Sequence, residues 1–247
     1  MSLVKTMNFG RSKTSTPVTD SGLVAYYKLD GDANDSTPNL HNGVATSVSY
    51  VSGKIGQAAN FNSDTSVIKI NDTIDLSFTN GTIDTPFSIS MWIYVTQFSS
   101  VGNWILNKRG LTTNEWQLVC LSGKMHFAKF SNNSSSIYQG ITCVSSIPLT
   151  SWQHIAYTDD GSGLNAGQNF YINGVRQLVS SANAGTYVKM QDTLAQTGIG
   201  LQLFDGVAAN LRHRGYVDEL GIWKNRNLTA SEVLNLYNNG SGKTYPF

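Results

Sequence analysis

The sequence is short of charge. Only 13% of its 247 residues are Asp, Glu, Lys or Arg, against about 25% in an average soluble domain. The formal net charge is +1, so the chain carries no electrostatic footprint for the phosphate backbone of a nucleic acid. No apolar run approaches the roughly 18–20 residues of a membrane-spanning helix, and insertion into a membrane is not expected. The first twenty residues have no apolar h-region and do not read as a secretory signal. Either a signal has been removed or the protein leaves its cell by another route such as host lysis, and the initial Met favours the latter.

Cysteine and glutamate are also scarce. Two cysteines, Cys120 and Cys143, either pair or act as small buried hydrophobes. Neither has a His/Cys spacing that suggests zinc. The only glutamates are Glu115, Glu219 and Glu232, whereas glycoside hydrolysis needs paired carboxylates at a set separation. No strand-borne Glu-x-Asp-x-x-Glu, nucleophile elbow or phosphate-binding loop is present, and the four histidines are scattered. The chain is not expected to be an enzyme. No heptad repeat specifies an oligomer, although exposed aromatic strands could support a homo-oligomer.

What the sequence does have is Gly, Ser, Thr, Asn and β-branched or aromatic residues in short alternating runs. In FSISMWIYV, Phe87, Ile89, Met91, Ile93 and Val95 share one face, and Ser88, Ser90, Trp92 and Tyr94 share the other. AANFN, SVIKI, NWILNKR, WQLVCL, MHFAKF, WQHIAYT, NFYING, TGIGLQL and YVDELGIW read the same way. Turn dipeptides separate them: Asn80-Gly81, Asp160-Gly161, Asn173-Gly174 and Asp205-Gly206. Many short strands without intervening helices predict an all-β antiparallel sandwich or barrel. One helix is signalled near the C-terminus, where Thr229 and Glu232 form a capping box. Ala230, Val233, Leu234 and Tyr237 make its apolar stripe, and Gly240 is positioned to stop it.

Residues 1–21 differ. Lys5, Arg11 and Lys13 precede the first acid, Asp20, and apolar periodicity is absent. This segment reads as an extended arm, either a plain tail or a tether to a larger assembly. Residues 22–247 read as one domain.

The order of motifs in that domain carries a resemblance. GLVAYYKLDGDANDS, HNGV and GKIGQAANFN, then FSISMWIYV, SWQHIAYTDDGS, NFYINGVRQ and GYVDELGIWKNRNLTASEVLNLYNNG together resemble a laminin-G-like (concanavalin A-like jelly-roll) domain from Gly22 to about Gly240. The resemblance implies a two-sheet jelly roll with one short C-terminal helix, often with bound calcium. It implies no single ligand, since such folds host many functions.

Three groups of residues are candidate sites. Asp30, Asp32, Asn34 and Asp35 crowd hard oxygen donors into one loop, as calcium requires. The resemblance brings Asp218 to that loop, and the competing reading is turn-forming Asx chemistry. Asn103, Trp104 and Arg109, with Lys108 nearby, and Trp116 with Asn114 offer the aromatic and polar groups that sugars contact, unless the two indoles fill the core. The basic segment Leu211–Arg214 could meet an anionic partner or be a solvated loop. The functional expectation is a non-catalytic binding or structural module for a glycan or cell-surface ligand. It would sit on a virion as a bacteriophage decoration, fibre or tail component, joined to other surface proteins through the arm, or be an extracellular lectin-like adhesion domain.

Overall fold

The computed structural model describes residues 15–110, 112–203 and 211–247. The basic start of the arm and the Asp205-Gly206 turn lie outside the described residues. Within them the strands are β1 Leu23–Tyr27, β2 Gly43–Thr46, β3 Ser49–Ser52, β4 Gln57–Asn60, β5 Val67–Ile70, β6 Phe87–Val95, β7 Asn103–Arg109 and β8 Asn114–Leu121. They continue with β9 Lys124–Phe130, β10 Tyr138–Cys143, β11 Trp152–Asp159, β12 Gln168–Ile172, β13 Val175–Arg176, β14 Val179–Ser181, β15 Thr197–Ile199 and β16 Gly215–Lys224. Helix α1 is Ala230–Tyr237.

The strands form two eight-stranded antiparallel sheets. The first runs β13-β12-β11-β6-β16-β4-β3, with β1 also on β16, and the second runs β14-β10-β9-β8-β7-β15-β5-β2. The fold is an antiparallel jelly-roll sandwich, as the motif order implied. Its main core is filled by the alternating residues of both inner faces. Phe87, Ile89, Met91, Ile93 and Val95 of β6 all lie there. Cys120 and Cys143 are free thiols in the same core, so the hydrophobe reading of the two cysteines holds.

The opposite face of β6 is covered too. Ser88 Oγ donates to Arg226 O and accepts from Leu228 N. Ser90 Oγ pairs with His154 Nε2 at 2.9 Å, and the Trp92 ring lies 5.9 Å from that of Tyr237. Helix α1 thus seals a second cluster in which Val18, Trp223, Leu228, Val233 and Leu236 pack together. The cap is the one the sequence specifies: Thr229 accepts from Glu232 N, and Glu232 closes back on Thr229 N. The helix stops earlier than Gly240. Asn238 takes the left-handed conformation at φ 46°, which Asn tolerates better than most residues.

The described part of the arm lies along this helix. Thr16 N donates to Ser231 Oγ, Val18 N donates to Asn235 Oδ1, and Arg226 Nη1 donates to Thr19 O. Val18 is only 3% exposed. At the β12–β13 hairpin, Asn173 and Gly174 both have positive φ, 52° and 74°, the signature of the expected type I′ turn.

Candidate functional site

The antiparallel register of β6 and β16 creates a candidate site. Val95 pairs with Gly215, so the chain leaving β6 emerges beside the chain entering β16. Between residues 97–101 on one side and Arg212 and Arg214 on the other lies a cleft of about 540 Å³. That volume suits a small ligand. Arg214 O accepts from Thr96 N at 2.9 Å, which ties the two walls at their base. Arg214 extends its guanidinium to Asn62 O and Asp64 Oδ1. Arg212 Nη2 reaches the same Asp64 oxygen at 3.1 Å. The Asp64 side chain stays 65% exposed.

Asn103 shapes the cleft from behind. It is fully buried. Its Nδ2 donates to Gln97 O at 2.9 Å and its Oδ1 accepts from Ser99 N at 3.2 Å. It therefore clamps the 97–103 loop rather than offering its amide to a ligand. Trp104 backs the same loop, with Nε1 donating to Val101 O at 3.4 Å.

The other sugar-contact candidates divide by face. Trp116 points into the main core, stacked near Phe127 with its indole N–H donated to Leu76 O at 2.9 Å. It is a core residue, not a surface platform. Lys108 is also buried, its ammonium held by Glu115 Oε1 at 2.6 Å, Asp72 Oδ1 at 2.8 Å and Ser77 Oγ at 2.8 Å. Trp104 and Arg109 do meet, on the opposite face of the second sheet. The Arg109 guanidinium lies 5.4 Å from the Trp104 ring centre and 4.5 Å from that of Phe130. It donates to Asn114 Oδ1, Gln117 Oε1 and Ser135 Oγ. Loss of hydration pushes Arg109 down to about 10, and Trp104 is only 7% exposed. The indole is thus occupied by an internal cation–π contact.

The acidic loop is likewise sorted by its hydrogen bonds. Asp35 is buried and accepts from Tyr26 N, Thr37 N, Thr37 Oγ1 and His41 N. Asp32 accepts from Asn34 N and Nδ2. These three residues stabilise the turn, which is the Asx chemistry weighed against calcium. Asp30 and Asp218 behave differently, converging on one loop at residues 53–57. Asp218 Oδ2 accepts from Lys54 N and Ile55 N, and Asp30 Oδ1 accepts from Gln57 N. Asp218 Oδ1 is buried without a partner. Burial, with Glu219 and Asp30 nearby, pushes the Asp218 carboxyl up to about 8. Glu219 beside it is pushed up to about 7, chiefly by burial.

Asp218 and Glu219 both turn away from the main core yet stay buried, where a bulge interrupts β16 between Asp218 and Gly221, with Glu219 at φ 52°. Asp30 and Asp218 fit a hard cation through this unpartnered buried oxygen. Among the described residues no three His, Cys, Asp or Glu side chains cluster as a metal centre. A calcium ion at this pair would therefore draw its remaining oxygens from backbone, amide groups or water, and its contribution would be to neutralise the pair and tie β16 to the 53–57 loop.

No local pattern in the sequence marks the loop at 97–101 or the carboxylate of Asp64 as part of a site. Arg212 and Arg214 are legible in sequence as part of the basic segment Leu211–Arg214.

Two antiparallel sheets packed in this order define the class of jelly-roll sandwiches. Residues 62–234 match the family described as the concanavalin A-like lectin/glucanases superfamily, Laminin_G_3, and the chain belongs to that family. No curated protein matches it in sequence. Among solved structures it is similar to domain 4 of AbnA, a GH43 extracellular arabinanase from Geobacillus stearothermophilus, in complex with arabinotriose. The TM-score is 0.63 at 23% identity, covering 87% of this chain and 98% of that one. It is also similar to the binding domain of Paraclostridial Mosquitocidal Protein 1, with TM-score 0.67 and 20% identity over 89% of this chain and 52% of that one. A structure of botulinum neurotoxin type C, whose cell entry depends on interaction with two ganglioside molecules, aligns at TM-score 0.62 and 14% identity, covering 89% and 51%. The chain spans about half the length of those toxin structures. At these identities the likeness concerns the fold.

Proposed function

We propose that this chain is a non-catalytic carbohydrate-binding module whose ligand occupies the cleft between residues 97–101 and Arg212 and Arg214. The observation that carries the reading is the cleft itself. It is sugar-sized, its rim presents serine hydroxyls and guanidinium groups, and its loop is clamped by a buried amide. Hydroxyls and guanidiniums suit the donors and acceptors of a glycan. The similarity to a domain in complex with arabinotriose supports the same reading.

The positions of the glutamates support a binding role over hydrolysis. Glu115 is held by Lys108, Glu219 accepts from the Tyr26 hydroxyl, and Glu232 serves the helix cap. None of them lines the cleft. Two further parts of the proposal concern context. Calcium would bind at Asp30 and Asp218. The module would be mounted on a virion or another extracellular surface through the arm at residues 1–21.

A glycan array followed by calorimetry tests the binding role. Ser100 is exposed at the cleft rim, so Ser100→Trp fills the cleft without touching either core. Binding by the wild type and its loss in Ser100→Trp, with an unchanged Tm, is the expected result. Absence of binding to any glycan, or binding indifferent to Ser100→Trp, overturns the reading.

A further inference from the structure

We infer that the cleft selects an acidic sugar, one bearing a carboxylate such as a uronic acid, over its neutral counterpart. This rests on the reading of the cleft as a glycan site and specifies the ligand class.

The two arginines that line the cleft already hold a carboxylate beside it. Arg212 and Arg214 converge on a single oxygen, Oδ1 of Asp64. Two guanidiniums on one carboxylate oxygen form the arrangement that recognises an anion through charge-assisted hydrogen bonds. The position of Arg214 is not incidental. Its backbone carbonyl is bonded to Thr96 N, and its neighbour Gly215 has φ 145° with no room for a side chain. A Cβ at residue 215 would stand 1.8 Å from Tyr94 O. The backbone thus brings Arg214 to the wall by a close approach that only glycine permits.

The internal carboxylate is replaceable. The Asp64 side chain is 65% exposed, and an ion pair whose carboxylate stands open to water is weakened by hydration and salt. A ligand carboxylate placed in the cleft would meet the same two guanidiniums while its sugar ring met the hydroxyls of Ser99 and Ser100. Asp64 then acts as an internal stand-in that keeps the arginines extended when no ligand is present. The bias is local, because the whole chain is nearly neutral at +1.

The test compares matched oligosaccharides, galacturonate oligomers against galactose oligomers of the same length, by calorimetry in low and high salt. The wild type is expected to bind the acidic series roughly tenfold more tightly, since charge-assisted bonds are about twice as strong as neutral ones. High salt should erode that advantage. Arg214→Gln is expected to abolish the preference while leaving Tm nearly unchanged. Asp64→Asn, which removes the internal competitor, should tighten acidic binding. Equal or better binding of the neutral series, lost in Ser100→Trp, overturns the acidic selectivity and leaves the carbohydrate role standing. A preference that survives Arg214→Gln also overturns it. Binding of neither series removes both readings.

Discussion

Lys129 places its ammonium 2.8 Å from Asp159 Oδ2 with both side chains out of solvent, and reaches Asp84 Oδ2 at the same distance. Lys129 and Lys108 flank Trp116 in one cross-strand row of β7, β8 and β9. Each ammonium ties a long connection to the sandwich. Lys129 holds the segment before β6 through Asp84, whose Oδ1 also accepts from Met190 N at 2.6 Å. Such charges are tolerated inside because each is paired and hydrogen-bonded. Removing one partner strands the others.

Lys129→Ala is therefore expected to destabilise the fold by about 3–5 kcal/mol, because two buried carboxylates lose their counter-ion. Urea denaturation checks this. The triple change Lys129→Met, Asp84→Asn, Asp159→Asn should recover much of the loss. A single-variant cost below about 1 kcal/mol, the level of an exposed pair, would show that the cluster is not anchored by the lysine.

Three histidines set an acid limit on stability. Burial lowers His126 to about 4, His154 to about 3 and His213 to about 4. In the unfolded chain each protonates near 6.5. Between pH 6.5 and 4 the unfolded state therefore binds more protons than the native state, so stability falls as pH falls. Each histidine contributes a slope of up to about 1.4 kcal/mol per pH unit. Asp218 and Glu219, both raised, act with the opposite sign by favouring the protonated native form. The histidine share is thus read as a difference. His126→Gln should lose less stability than wild type between pH 6.5 and 4.5 in urea melts, and equal losses would refute the assignment.

Local chemistry made much of this fold legible. The alternation in β6, the Asn173-Gly174 turn and the Thr229–Glu232 cap each depend on residues within one element, and each stands where the sequence puts it. The cleft could not be read the same way. Its walls are more than a hundred residues apart in sequence and meet only because Val95 pairs with Gly215. Trp104 and Trp116 looked equivalent, yet a bulge in β7 between Trp104 and Leu106 changes the phase of that strand without any mark in its residue types. Strand β10 is hard to read because Gly140 lowers its strand propensity and a serine-rich run precedes it. Lys108 and Lys129 run against hydrophobic patterning, and no local rule foretells a buried, paired lysine.

The cap gives a further check. Thr229→Ala removes a side chain that accepts the Glu232 amide and leaves Glu232 without its partner hydroxyl. The expected cost is about 1 kcal/mol. Because α1 covers Trp223, the loss should appear both as a lower Tm and as a red shift in tryptophan emission. Glu232→Gln, which can still accept from Thr229 N, should cost less. A change in Tm without a spectral shift would separate the cap from the seal over Trp223.

Calcium is the last expectation to be put to measurement, and the arrangement of the carboxylates makes it specific. Asp218 carries a buried oxygen without a partner and is held largely protonated near neutral pH. Asp30 is bonded to the same 53–57 loop. A divalent cation there would lower the cost of ionising both groups, so binding should release protons at pH 7 and raise Tm. Asp218→Asn is expected to remove both responses. Asp32→Asn should leave them, because the hydrogen bonds of Asp32 go to Asn34 in the adjoining turn. Differential scanning fluorimetry with calcium or chelator, and calorimetry in two buffers of different ionisation enthalpy, read the two effects. If the purified protein is metal-free by elemental analysis and its Tm is the same in calcium and in chelator, Asp30 and Asp218 hold the loop by hydrogen bonds alone.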